Sequence, residues 1–506
     1  MEETILRQSV EIERLAARTA EQTLVEGEVA LPGGIREEAA VLGCEARLVV
    51  SGVEPQTDRL ALDGAVVFQV LYRQGDDAVR VLEANCAFSH MMHMEGVTPG
   101  MRPKVVGDVQ GAVAQPVSGR MRLRAQVDVN ACVFAPEQVE MVTGVRGVQG
   151  LQTREETCRV LRHAASGSAS ALLREEFELP ASPAVGETLY ARAAPYVRSV
   201  SGGEGRASVE GDVTLEVFHA GQGEDGALVV SRHVFPFEQS VALDGEPGDD
   251  LRARVQVQDV VASSVDAGDG TRILRTETVL DVAAESFRQE ELTTLRDAYT
   301  LCGDMLSLDA RPVACVAGAQ HTTAAENDKL VMALPAGAQP VGHVLAALLK
   351  PAMVSAEQVG GRTVVEGLLD AQVVYAPAPG GAPVGVREEI PFRIAFQGSL
   401  PQDAVVRMTA GEVHADGIAA DRIELKYRME MDADAVQTQS VALPVGVQMR
   451  PAEAETGGLA MVWPQAGETL WDIAKRLRVT PESIARLNPG MEEAKPGKGV
   501  LVLKRL

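Results

Sequence analysis

The side chains able to do chemistry are thinly spread. His90 and His93, in His90-Met91-Met92-His93-Met94, would suit a soft metal ion, but residues three apart on a strand project from opposite faces, so no metal site is expected there. The nearest of the six cysteines (Cys44, Cys86, Cys132, Cys158, Cys302, Cys315) are thirteen residues apart, which excludes C-x-x-C zinc or dithiol chemistry. No G-x-x-x-x-G-K-[ST], H-E-x-x-H or G-x-S-x-G run occurs, and no nucleophile, base and acid assemble by spacing. The reading is therefore non-enzymatic, with no cofactor and no metal. The pairs Asp249-Asp250 and Glu290-Glu291 sit beside turn signals and read as solvated loops. Binding chemistry is concentrated elsewhere: both tryptophans, Trp463 and Trp471, fall within the last 48 residues. Trp471 flanks the expected buried stripe of its helix, so it reads equally as core packing or as an exposed contact anchor; in the second case Lys475, one helical turn away, adds a cation that suits an acidic protein partner.

The chain around them is acidic. Its 506 residues carry a formal charge of −24. Residues 459–506 hold eight basic and five acidic side chains, net +3, which leaves −27 on the other 458. An acidic surface repels phosphate backbones, so nucleic acid is not an expected partner. The densest apolar stretch, Val344 to Leu349, is closed by Lys350 and Pro351, well short of the roughly 20 residues of a membrane span. Met1-Glu2-Glu3 lacks the basic-then-apolar layout of a secretory signal. Retention in the compartment of synthesis is the expectation, and scattered thiols agree with it.

A repeat organises the rest. Leu62-Asp63-Gly64-Ala65-Val66-Val67-Phe68-Gln69-Val70-Leu71-Tyr72 returns as Val209 to His219 and again as Val365 to Tyr375. Each copy has apolar residues at a period of two around a glycine and a ring eight residues after it, which predicts a strand with one buried face. The glycine marks a bulge or a close backbone approach. His219 takes the ring position of Tyr72 and Tyr375, so packing is its expected role. Phe88, Phe237 and Phe392 follow the three glycines by about 25 residues. Later, Met121 to Val129 and Ile423 to Met431 alternate again, with Ile273 to Val282 in the equivalent middle place. The expectation is a mainly β chain of three tandem β-sandwich or open-barrel repeat domains at 25–147, 154–287 and 328–450. A helix is expected over 1–24, from Ile5, Ile12, Leu15, Ala16 and Thr19. A polar link is read over Val148 to Arg159, a linker over 288–327, and a tether over 451–458, whose proline, glycines and acids offer little to bury.

Residues 459–506 differ in kind. Leu459 to Trp463 predicts a strand, Thr469 with Asp472 a capping box, Leu470, Ile473, Ala474 and Leu477 a buried helical stripe, Thr480-Pro481 a second helix start, and Val500 to Leu503 a closing strand. This small βααβ, α+β unit resembles the LysM family. The matching residues are Val462, Gly467-Glu468-Thr469-Leu470-Trp471-Asp472-Ile473-Ala474, Leu487-Asn488-Pro489 and Pro496-Gly497 to Leu503. The gap before Gly467 is one residue longer than usual, and Glu468 replaces the common Asp. The resemblance implies binding of N-acetylglucosamine polymers, such as those of peptidoglycan, through the loops Ala466 to Leu470 and Leu487 to Glu492. The candidate site residues are thus Ala466, Gly467, Glu468, Thr469, Leu470, Trp471, Lys475, Leu487, Asn488, Pro489 and Gly490.

Three such β repeats followed by one terminal LysM resemble the SipL family of clostridial sporulation proteins, whose repeats are SPOCS domains. That resemblance implies a mother-cell cytoplasmic protein at the forespore surface, in the spore coat. It also implies that the LysM head docks onto a SpoIVA-like coat ATPase rather than onto sugar. A cell-wall-associated glycan binder is the alternative.

Overall fold

The structure is a computed structural model and describes residues 4–31, 39–74, 79–180, 185–221, 228–268, 271–401, 403–452, 457–489 and 498–504. The first unit contains β1 (Thr4–Ala30), β2 (Ala39–Gln56), β3 (Arg59–Gln74), β4 (Arg80–His93), β5 (Arg102–Val117) and β6 (Arg120–Arg146). They form two antiparallel sheets, β1-β6-β5 and β2-β3-β4. The second unit repeats the plan with β7 (Leu151–Leu179), β8 (Val185–Gly203), β9 (Arg206–Gly221), β10 (Leu228–Ala242), the two-residue β11 (Asp244–Gly245), β12 (Asp250–Asp266) and β13 (Arg272–Thr300). Its sheets are β11-β7-β13-β12 and β8-β9-β10. The third has β14 (Met305–Ala333), β15 (Val341–Val359), β16 (Arg362–Pro377), β17 (Val384–Gln397), β18 (Val405–Ala419) and β19 (Arg422–Arg450), ordered β14-β19-β18 and β15-β16-β17. In every unit the first strand pairs with the last. The two sheets also approach each other along one side, where β2 lies near β5, β8 near β12 and β15 near β18, so each unit is a sandwich verging on an open barrel.

The period-two reading places the core correctly. Val209, Val213, Leu215 and Val217 are fully buried, as are Met121, Leu123, Ile423 and Leu425. The repeat glycine and the later phenylalanine turn out to be one device: Gly64, Gly211 and Gly367 lie directly opposite Phe88, Phe237 and Phe392 in the register. A Cβ on Gly211 would fall 2.5 Å from Cε1 of Phe237, and one on Gly367 2.8 Å from Cε1 of Phe392. In the second and third units the ring thus covers its glycine across the strand pair, whereas a Cβ on Gly64 would first meet the Val49 carbonyl. His219 is buried at the tyrosine position, with Nδ1 3.2 Å from the Thr188 hydroxyl and Nε2 2.9 Å from that of Ser231. Burial, with help from His233 and Arg272, pushes its imidazole down to about 4, so it packs as a neutral ring.

Four boundary expectations are corrected. Residues 4–30 are not a helix: β1 pairs with β6 from Thr4 to Ala30, burying Val10 and Ile12 at a spacing of two. The apparent helical spacing loses because β6 offers this segment a complete ladder of partners, and tertiary pairing overrides local propensity. The polar link over 148–159 is mostly β7, which begins at Leu151. The linker over 288–327 is the end of β13 and the start of β14, leaving 301–304 as the connection, and Glu290 and Glu291 face Arg162 and Arg159 from within β13. The units therefore run 4–146, 151–300 and 305–450.

The extra length has a purpose. The six strands that open and close the units, 27 to 29 residues each, continue past their sandwiches as two-stranded ribbons, bent by paired register shifts such as Leu6/Arg7 and Leu15/Ala17. The ribbons pack together around Val10, Ile12, Val139, Met141, Val160, Leu292, Val313, Cys315 and Leu443, a cluster fed by all six strands. Two more clusters take side chains from all three units: Phe134, Leu161, Phe287 and Val316, and Leu71, Phe218 and Val374 with their neighbours. Each unit touches the other two, so the body is a ring of three.

The polar seams differ. Between units one and two, Arg192 pairs with Glu45, which also accepts from the Tyr190 hydroxyl at 3.2 Å. Between three and one, the Gln372 amide bridges the backbone of Cys44 (2.8 and 3.0 Å), and Lys350 binds Asp108 at 2.7 Å. Between two and three, Arg252 donates to the Ala319 carbonyl at 2.7 Å. On the third ribbon, His321 Nδ1 lies 3.1 Å from Asp434 and 3.5 Å from Asp432, while Arg407 binds Asp432 at 2.7 Å. The hydrogen bond to Asp434 raises the His321 pKa against the effect of burial. Burial would raise Asp434, but the His321 bond and the Lys104 and Arg407 charges outweigh it and hold the carboxyl at about 2.

Two outcomes are expected. Because the ribbons share one core, Ile12→Ala should cost about 2–5 kcal/mol and lower a single calorimetric transition of the whole body; three transitions with only the first shifted would mean independent units. The His321 pair stabilises fully below the ordinary imidazole pKa of about 6.5 and loses its contribution as pH rises through the raised folded value. His321→Asn should therefore lower the melting temperature more at about pH 5.5 than at about pH 9, as followed by circular dichroism.

Candidate functional site

The C-terminal head is β20 (Gly458–Val462), α1 (Leu470–Leu477), α2 (Pro481–Leu487) and β21 (Val500–Lys504), with β20 and β21 antiparallel. Its ends form as the sequence dictates. Thr469 caps α1, with its hydroxyl accepting from Asp472 N at 3.3 Å while the Asp472 carboxylate accepts from Thr469 N at 2.8 Å. These bonds hold the Asp472 pKa below the usual carboxylate range. Thr480 caps α2 with Pro481 in its first turn. Ile473, Ala474, Val479, Ile484, Val500 and Val502 are the buried centre.

The candidate site residues separate into groups. Ala466 and Gly467 are exposed at the tip of the first loop, with Gly467 at φ +83°. The Glu468 carboxylate is spent within the loop, on Gln465 N at 2.9 Å and Arg476 at 2.9 Å, and the Thr469 hydroxyl on its cap. Leu470 and Leu487 are half-buried in the head. Asn488 is structural: its amide donates to Ile484 O and Leu501 O, each at 2.8 Å, and its oxygen accepts from Leu501 N at 2.9 Å, tying α2 to β21. Pro489 is exposed, and Gly490 lies outside the described residues. What the first loop presents is therefore backbone, the chemistry that suits acetamido groups.

Trp471 and Lys475 depart most from expectation. Both are held by the chain's own second unit. Trp471 Nε1 donates to Asp297 Oδ2 at 2.8 Å and Lys475 Nζ to Asp297 Oδ1 at 2.6 Å, so one carboxylate takes both. The Tyr299 ring joins the head's core, edge-on to Trp471 with centroids 5.0 Å apart, and its hydroxyl donates to Val479 O at 2.6 Å. Burial pushes that phenol's pKa well up, so it remains a donor. Arg478, the left-handed cap of α1 at φ 53°, donates to Thr300 O at 2.9 Å and Gly303 O at 2.7 Å. Sequence reasoning missed Asp297, Tyr299, Thr300 and Gly303 because they lie more than 170 residues from their partners, in a stretch read as linker.

His90 pairs with Glu21 at 2.9 Å and is half-buried, whereas His93 is exposed. Among the described residues His321, Asp432 and Asp434 are the donors that converge; Arg407 pairs with Asp432 Oδ2 and the imidazole with Asp434, while Asp432 Oδ1 is left without a hydrogen-bond partner. Among the described residues no helix is long and apolar enough to cross a membrane, and all six cysteines are free.

With this geometry in view, comparison with known proteins adds two matches. Residues 39–115, most of the first unit, match the model of the SipL SPOCS domain. Residues 465–496 match that of the LysM domain. Neither a curated protein nor a solved structure matches the chain. Both matched families are non-catalytic binding domains. The second and third units repeat the strand order of the first, and so the chain is a SipL-like protein in its make-up, a SPOCS domain within a three-unit β body that ends in a LysM head.

Proposed function

We propose that the protein is a non-enzymatic assembly factor of the spore envelope, in which the three-unit body is the scaffold and the LysM head recruits a SpoIVA-like coat ATPase at the forespore surface. The observation that carries this reading is the architecture: a ring of three SPOCS-like units, locked by shared cores, presents a single small binding module. The head carries net positive charge, which favours an acidic protein surface, and the contacts of its Trp471 and Lys475 with the chain's own Asp297 and Tyr299 support a face suited to a carboxylate beside an aromatic ring. A second reading has its own support. The exposed backbone at Ala466 and Gly467 suits N-acetylglucosamine polymers, and that loop is clear of the body.

The full chain and a chain ending at Arg450 should be offered to a purified SpoIVA-like ATPase, with N-acetylglucosamine oligomers as competitor. Retention by the full chain alone, unaffected by the oligomers, is the expected result. Retention by both chains would move the docking site to the body, and tight oligomer binding that displaces the ATPase would favour the glycan reading.

A further inference from the structure

The three ribbons end in equivalent tips, and only one is equipped to hold the head. Each closing strand has a register shift near its end, with one unpaired residue: Thr143 in β6, Arg296 in β13 and Val445 in β19. The residue just after the shift is Gly144, Asp297 or Gly446, and two further on stand Arg146, Tyr299 or Gln448. A carboxylate and an aromatic ring replace a glycine and a polar side chain in the second unit alone. Neither residue serves the sandwich core; both point their polar atoms at the head.

The chain's path favours this contact. Arg450 pairs with Met305, two residues from Gly303, so the head's tether leaves the body beside the groups that receive it. Only seven residues, 451–457, separate Arg450 from Gly458. A linker that short gives an effective concentration in the millimolar range, so even a weak contact stays closed.

We infer that the tip of the second unit is an internal ligand for the head, an autoinhibitory contact in which Asp297 and Tyr299 occupy the Trp471 and Lys475 face, and that a protein partner engages this face by displacing them with a carboxylate beside an aromatic ring. The inference rests on the proposed docking role of that face. Closure lowers the apparent affinity for the partner by the fraction of open chain, and release of the tip restores it.

The test uses the full chain with Trp463→Phe, which leaves Trp471 as the reporter. Acrylamide quenching of Trp471 should be weak in this parent, rise several-fold in Asp297→Lys and in Lys475→Glu, and fall back in part when both changes are combined. The charge-swapped pair guards against a variant that merely misfolds. A parent as readily quenched as its variants, or no recovery in the pair, overturns the self-contact. Affinity for the SpoIVA-like ATPase should then be about fivefold or more higher for Asp297→Lys than for the parent. Equal binding by both overturns the autoinhibition and leaves the docking role standing. If neither form binds, the docking role fails, and the quenching result alone decides whether the head is held closed.

Discussion

Everything in the body depends on how six overlong strands bury themselves. A two-stranded ribbon has two faces and no third layer, and alone in water it is marginal at best. Each unit carries one, extended beyond the sandwich that anchors it. The apolar residues at its end, such as Val10 and Ile12 against Val139 and Met141, can leave water only against other ribbons. Three ribbons meeting at one cluster solve this for all three at once. The ring is thus a consequence of strand length.

That constraint makes the seams equivalent in shape but not in chemistry. At one position in the ring, Glu45, Arg192 and Leu348 occupy the same register in β2, β8 and β15, opposite Gln69, Glu216 and Gln372. The first two make the ion pair between units one and two, and the third leaves Gln372 free to bridge Cys44. Charges taken partly out of water are costly unless paired, so a unit placed in the wrong seam would strand an arginine or a glutamate. The polar differences fix the order of the units around a core that is itself indifferent to order.

Much of this was legible before any coordinates. The period of two around Gly211, the reappearance of its pattern around Gly64 and Gly367, and the capping box at Thr469 each follow from short-range rules, and each appears where those rules put it. The ribbons were not legible, because their sequence mixes acids and arginines with apolar residues. Glu13 shows why: it is buried, yet it is satisfied by Arg102 and by His163 N at 2.7 Å, partners from across the fold that no local window includes. Polar residues satisfied at a distance read in sequence as a solvated helix face, as over 1–24, or as a linker, as over 288–327.

The same limit explains the head. Trp471 could be read from sequence either as core packing beside the buried stripe or as a contact anchor with Lys475 one turn away, and the structure has it do both, packing against the head's core and donating to Asp297. What they bind could not be read, since Asp297 looks like any acid in a charged strand until the register places it where the other two tips have glycine. A glycine there leaves the tip bare, whereas an aspartate adds a carboxylate that would be an unremarkable surface charge without a partner. Its position within reach of the tether, joined by both donors of one helix face, gives that charge a use. Two faces of the head are then distinguished by their chemistry: a side-chain face that the body already holds, and a backbone loop at Ala466 and Gly467 that it leaves open.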